Sequence, residues 1–312
     1  MSATTFSSPV LRAAEALLAQ VEPALIRDPA GVIWVSLDFM ALLRATAARP
    51  DESEALADHA LSVLREAAGP GATLLVSAFS FTFPQTGRFD AATTPVQTGA
   101  FGGLLLRRYP EARTLNPFYS FLAFGARAEE VLANRSPHST GPDSIFEWVI
   151  DQGTDLVTLG HHYIKSLSSV HHAEELAGVD YRYRKSFPGR VTGQGETIDG
   201  TYTFFVRDLD TCGHSSITRA GDAHLRAQGL VDTWLVGTGR RRMLAHRLNL
   251  AAAHAILVDD LRRDAPRLVD YLGPGREDRP VVTGPMANTL YLEELATFRD
   301  ANAPSDQETQ AS

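Results

Sequence analysis

The sequence predicts an α/β protein built as a three-layer α/β/α sandwich. Three observations carry that expectation. Apolar residues recur at helical spacing over 8–20, with Leu11, Ala14, Leu17 and Leu18, and again over 53–67, with Leu56, Ala60, Leu61 and Leu64. Short continuous runs rich in β-formers, VIWVSL (32–37), TLLVSAF (73–79) and DLVTLG (155–160), read as strands covered on both faces. The two kinds of segment alternate, as layered α/β chains do. Further along, TYTFFVRDL (201–209) and DTWLVGTG (232–239) add strands or edges. Residues 241–272 are expected to form a long helical stretch broken near Pro266. After Gly273 the chain turns polar, and the closing ANAPSDQETQAS is expected to be disordered. The organisation expected is one domain over 1–272 followed by a partly polar C-terminal extension, 273–312.

Composition narrows the function classes. The chain has 312 residues, 44% of them hydrophobic and 21% charged, which suits an ordinary globular protein rather than a disordered one. With 29 basic against 37 acidic side chains the formal charge is -8, so a nucleic-acid partner is not expected. Cys212 is the only cysteine, which removes intramolecular disulfides and four-cysteine zinc sites. No leader pattern opens the sequence and no apolar run reaches spanning length, so a cytoplasmic protein without membrane contact is expected. Standard signatures fail: GTGRRR at 237 lacks the third glycine of a dinucleotide loop, and neither a phosphate loop nor a G-x-S-x-G elbow occurs.

The chemistry concentrates in SSVHHAEEL (168–176). Ser168 or Ser169 is a good N-cap, which puts the histidines in the opening turn of a helix. His171 and Glu174, three apart, then share a face. A first-turn histidine meets the positive end of the helix dipole, which favours the neutral ring, while a neighbouring carboxylate fixes its tautomer and steadies it once protonated. Both effects suit a general base. Two readings compete with this one. The bland one is a solvated helix start with paired charges. The other is a metal-dependent hydrolase using His161, His162, His171, His172 and Glu174, against which the segment lacks the H-x-x-x-H spacing that places two imidazoles on one helical face; no metal is expected.

In its context the segment resembles the aminoglycoside 3-N-acetyltransferase family, in which a strand ending in glycine and a loop lead to a serine or threonine before an H-x-A-E helix. Here these are DLVTLG, HHYIKSL, Ser169, then His171, Ala173 and Glu174. Upstream, TTPVQTGAFGGLLLRRYPEARTLNPFYSFLAFG (93–125) resembles the family's T-P-x-x-T-G helix start and its H-P-x-x-S segment, through Thr94, Pro95, Thr98, Gly99, Pro117, Ser120 and Gly125. Downstream, GLVDTWLVGTGRRRMLAHRL is similar to the family's closing glycine pattern. The resemblance spans roughly 30–272. It implies a mixed central sheet, acetyl-coenzyme A as co-substrate, an amine of an aminoglycoside, amino sugar or secondary-metabolite intermediate as acceptor, and direct transfer with His171 as base and Glu174 as its partner.

It also implies coenzyme contacts at Ser36, Thr94, Thr98, Gly99 and Ser120. The T-P-x-x-T-G element suits a pyrophosphate, because Gly99 permits close approach and the following helix start presents free N–H groups. The segment at about 176–232 is expected on the acceptor side, with Asp208, Asp210 and Tyr163 as acceptor-binding candidates. For the two aspartates the alternative is that of plain turn carboxylates. Cys212, lacking a partner, is left outside the mechanism. Departures from the pattern are visible: Trp34 and Val35 on the first strand, Val96 and Gln97 after Pro95, and Asn116 where the family has histidine. They keep open a member that takes its acyl group from a carrier-protein thioester. A homodimer is allowed.

Overall fold

The structure, a computed structural model, describes residues 8–25 and 31–301. Its strands are β1 (Val32–Leu37), β2 (Thr73–Ser77), β3 (Arg88–Asp90), β4 (Phe121–Gly125), β5 (Asp155–Leu159), β6 (Arg182–Gly193), β7 (Glu196–Arg207), β8 (His214–Ile217), β9 (Val231–Val236), β10 (Met243–Asn249) and β11 (Val269–Leu272). Six of them form one mixed sheet in the order β4-β2-β1-β5-β10-β9. β1 is parallel to both β2 and β5, and the other three strands are joined antiparallel.

β1 shows why its sequence reads as an unbroken apolar run. Side chains of successive strand residues point to opposite faces. Ile33 and Val35 join one core with Leu17, Leu42, Leu61 and Leu105, from the helices Pro9–Leu18, Phe39–Thr46, Ser53–Ala68 and Ala100–Arg108. Val32 and Trp34 join the other, with Phe146, Ala173 and Leu257 from the helices Ile145–Asp151, Val170–Ala177 and Leu250–Leu261. Helices therefore cover both faces, giving the expected three layers. Trp34, fully buried, donates from Nε1 to Ser77 Oγ at 2.8 Å and packs edge-on against Phe79 and Phe121.

Two segments depart from expectation. Residues 241–272 are not one broken helix: they run as β10, the helix Leu250–Leu261 and β11. β10 is paired on both sides and buried from Met243 to Leu248, so nothing in it alternates to announce a strand. The extension after Gly273 contains the helix Gly284–Ala301, which returns to β10, where the Tyr291 hydroxyl accepts from the Leu244 N–H at 2.9 Å. The rest of ANAPSDQETQAS, from residue 302, lies outside the described residues.

β6 and β7, twelve residues each, form a hairpin, flanked by β3. Its turn is Gln194-Gly195, with φ of 51° and 78°, the left-handed pair that a two-residue turn of right-handed twist requires. Among the described residues no helix is long and apolar enough to cross a membrane.

Candidate active site

β1, β2 and β5 end together, and the loops leaving their carboxyl ends surround a cavity of about 400 Å³. Its place follows a general rule: where neighbouring connections leave a parallel sheet in opposite directions, a crevice opens beyond the strand ends. Ser36, Thr98 and Gly99 line it, together with Ser77, His161, Ser166 and Ser168. The start of the helix Ala100–Arg108 forms one wall, with Gly99 at φ 92° and no side-chain cap on its first N–H groups. Gly102 lets this helix approach β2, since a Cβ there would stand 2.2 Å from the Ser77 carbonyl oxygen. Opposite, Ser36 Oγ lies 2.8 Å from Ser166 Oγ, itself 2.7 Å from His161 Nε2. Burial holds His161 down to about 4, so its ring is neutral. Uncapped N–H groups facing several hydroxyls suit a phosphorylated, hydrogen-bonding ligand such as coenzyme A.

Thr94 and Ser120 are placed elsewhere. Thr94 Oγ1 accepts from the Asp90 N–H at 2.8 Å and so shapes the loop ahead of Gly99. Ser120 is fully buried, donating to the Ala78 carbonyl at 2.7 Å and accepting from Arg113 Nε at 2.9 Å. Neither lines the cavity. Asn116, at the family's histidine position, accepts from the N–H groups of Phe118 and Tyr119 at 3.0 Å each and so fixes that turn.

Ser169 is the N-cap residue of the helix Val170–Ala177. Its opening turn separates the first cavity from a second of about 740 Å³, with Ser168 lining the one and His171 the other. His171 Nδ1 lies 2.8 Å from Glu174 Oε2 and the imidazole keeps 20% of its side-chain surface exposed. Glu174 is wholly buried and gathers further donors: Arg182 Nε at 2.7 Å and the Tyr181 hydroxyl at 3.1 Å. Arg182 is anchored in turn by Ser215 Oγ at 2.7 Å and the Phe205 carbonyl at 3.2 Å. Burial alone would raise the Glu174 carboxyl, but the His171 and Arg182 charges and the hydrogen bonds outweigh it and hold it below the usual range. Burial, then the Arg182 charge, lowers His171, against the pull of Glu174. The result is an imidazole biased toward its neutral form, with Nδ1 fixed by a carboxylate and Nε2 without a hydrogen-bond partner among the described residues.

Arg182, Tyr181 and Ser215, which brace Glu174, carry no local signal in the sequence; only the fold of β6 and β8 against this helix brings them in. The second cavity is walled by the β6–β7 hairpin, within the 176–232 segment, and includes Asp208 and Asp210. Tyr163 is not there. It is buried, and its hydroxyl donates to Asp222 Oδ1 at 2.7 Å. Cys212 is also buried, which pushes its thiol up and away from the thiolate a nucleophile needs.

The five residues weighed for a metal do not converge. His161 turns to Ser166, His172 Nδ1 accepts from the Gly141 N–H at 3.0 Å, and His162 stacks on Tyr163. Among the described residues a different trio, His162, His246 and Glu294, brings three ligand atoms within 4.8 Å of one another. Arg226 reaches into it, at 2.8 Å from Glu294 and 3.3 Å from His162 Nε2, so the position a cation would take already faces a guanidinium.

A neutral, carboxylate-backed histidine lining a cavity is the arrangement an acyl transfer to an amine needs. The family model for aminoglycoside 3-N-acetyltransferase matches residues 49–257, about two thirds of the chain. The chain belongs to the aminoglycoside 3-N-acetyltransferase family. Membership makes it an acetyltransferase with acetyl-coenzyme A as co-substrate. Solved structures agree in fold. The aminoglycoside acetyltransferase AAC(3)-IIb superposes with a TM-score of 0.63 at 19% identity, covering 81% of this chain and 97% of its own. AAC-VIa bound to sisomicin gives 0.61 at 17% identity, covering 81% and 99%. The AAC-IIIb complex with coenzyme A gives 0.60 at 21%, covering 78% and 94%. No curated protein matches the sequence.

Proposed function

We propose that this acetyltransferase moves the acetyl group directly from acetyl-coenzyme A to an amine nitrogen, with His171 as general base and Glu174 as its orienting partner. The observation that carries this is the His171–Glu174–Arg182 chain, which leaves His171 Nε2 free beside the second cavity. An amine is protonated near neutral pH and cannot attack until it loses a proton. In the proposed step the acceptor ammonium first releases one proton to solvent; the amine lone pair then attacks the thioester carbonyl carbon, a second N–H proton passes to His171 Nε2, the C–S bond breaks, and the imidazolium returns that second proton to the departing thiolate. Glu174 stabilises the imidazolium in between.

The first cavity is the coenzyme side, with Ser36, Thr98 and Gly99 as contacts and the start of the helix Ala100–Arg108 toward the phosphates. Thr94 and Ser120 act at one remove, by holding the loops that shape it. The 176–232 segment forms the acceptor side, with Asp208 and Asp210 at its rim. The structures of relatives with sisomicin and with coenzyme A support a division into acceptor and donor sites. The test is His171→Ala, assayed by coenzyme A thiol release beside acetyl-coenzyme A binding by calorimetry. Binding should persist while turnover collapses; near-normal turnover refutes the assignment of the base.

A further inference from the structure

The second cavity is lined in a way that selects among amines, and this inference rests on reading it as the acceptor side. Its deep wall is aromatic. Phe81, Tyr119 and Phe204 meet one another with ring centroids 5.5 to 5.9 Å apart. Exposed apolar groups continue the wall outward, Tyr183 at 49% and Leu209 at 73%. The charges around it are balanced rather than acidic. Arg182 is committed to Glu174 and Ser215. The Arg207 side chain, half-buried on the same wall, makes no hydrogen bond or ion pair among the described residues, and the Lys185 side chain has only the Phe187 ring, 5.7 Å away. Of the two carboxylates, Asp208 is turned onto its own loop, accepting from the Asp210 N–H and the Thr211 hydroxyl at 3.1 Å each. Asp210 is left exposed and open.

A molecule with several ammonium groups needs several uncommitted carboxylates to replace its lost hydration. This cavity has one, set against two uncommitted cations and a broad aromatic face. We infer that the preferred acceptor is a monoamine with an aromatic body and one anionic group, its ring on Phe81, Tyr119 and Phe204 and its anion on Arg207, rather than a polycationic amino sugar. The amine would approach His171, and Lys185 would add a weaker, solvent-screened attraction for the anion.

The probes are 4-(aminomethyl)benzoate, its neutral analogue 4-(aminomethyl)benzamide, and sisomicin, each titrated calorimetrically into the full chain with coenzyme A present. The benzoate should bind at least about tenfold more tightly than the benzamide, the advantage of a charge-assisted guanidinium contact, and more tightly than sisomicin. Arg207→Gln should erase the gap between the first two while leaving the benzamide unchanged. If that variant does not fold, Lys185→Glu, on an exposed position, should narrow the same gap. Equal binding of benzoate and benzamide, no binding of the benzoate, or tighter binding of sisomicin overturns the inference. Failure of the reading it rests on looks different: His171→Ala then keeps near-normal turnover, whatever the order of the amines.

Discussion

Two histidine–glutamate pairs in this molecule share one chemistry and differ in access. His171 meets Glu174 at 2.8 Å with Arg182 behind it; His246 meets Glu294 at 2.6 Å with Arg226 behind it. His171 keeps 20% of its side chain exposed beside a cavity, whereas His246, fully buried, lies against the helix Gly284–Ala301 with its other ring nitrogen 3.4 Å from Thr158 Oγ1. Glu294 shows what the second pair does. Burial pushes its carboxyl up, but the His246 hydrogen bond and the His246 and Arg226 charges bring it down to about 2. That pair fastens a helix to the sheet. A base needs the same contact and, in addition, a free nitrogen with room for a reactant.

The sharpest way to break the comparison is to remove each imidazole. His171→Ala should lower kcat by about 10³-fold, the usual scale for a lost general base, with the melting temperature little changed. His246→Ala should do the reverse, costing about 2–3 kcal/mol in denaturant unfolding because a buried polar network loses a partner, while kcat holds. Equal kinetic damage from both would end the distinction.

Smaller effects refine it. Glu174→Gln keeps the shape but loses the charge, and kcat should fall by about 10- to 100-fold, with some loss of stability because Arg182 stays buried without its anion. The acid limb of kcat/KM should lie below 6.5, the ordinary histidine value, since burial depresses His171 and only the neutral ring takes a proton. For Glu294 the sign is that of a depressed carboxyl. Its stabilisation is complete above 4.5, its ordinary value, and drains away as the pH falls toward about 2. Acid unfolding followed in wild type and Glu294→Gln should differ in that window.

The comparison also explains what the sequence could tell. HHAEE discloses its pair because the partners lie three residues apart on one helix, a local geometry. His246 and Glu294 are 48 residues apart and meet only through the fold. The layers were legible for a similar reason: VIWVSL and DLVTLG are buried on both faces and read as apolar runs. β10 has equal burial, but His246 and Arg247 interrupt its apolar run, held there by ion pairs to Glu294 and Asp232, and its remaining residues then join the helical pattern that follows. The β6–β7 hairpin does carry a signal, the Gln194-Gly195 turn in VTGQGETI, which marks two strands although only TYTFFVRDL has the composition of one. Ser120 shows that a sequence carries no depth: a serine before a strand looks the same whether its hydroxyl faces a ligand or, as here, Arg113.

Trp34 carries one last consequence. Its indole is sealed from water yet donates to Ser77, whose residue lines the cavity proposed for the coenzyme. A ligand that draws the Ser77 hydroxyl toward itself changes the polarity felt by that ring, so emission from Trp34 should report occupancy of this cavity. Intrinsic emission, followed while coenzyme A is titrated into a Trp148→Phe, Trp234→Phe background, reads it without any added dye.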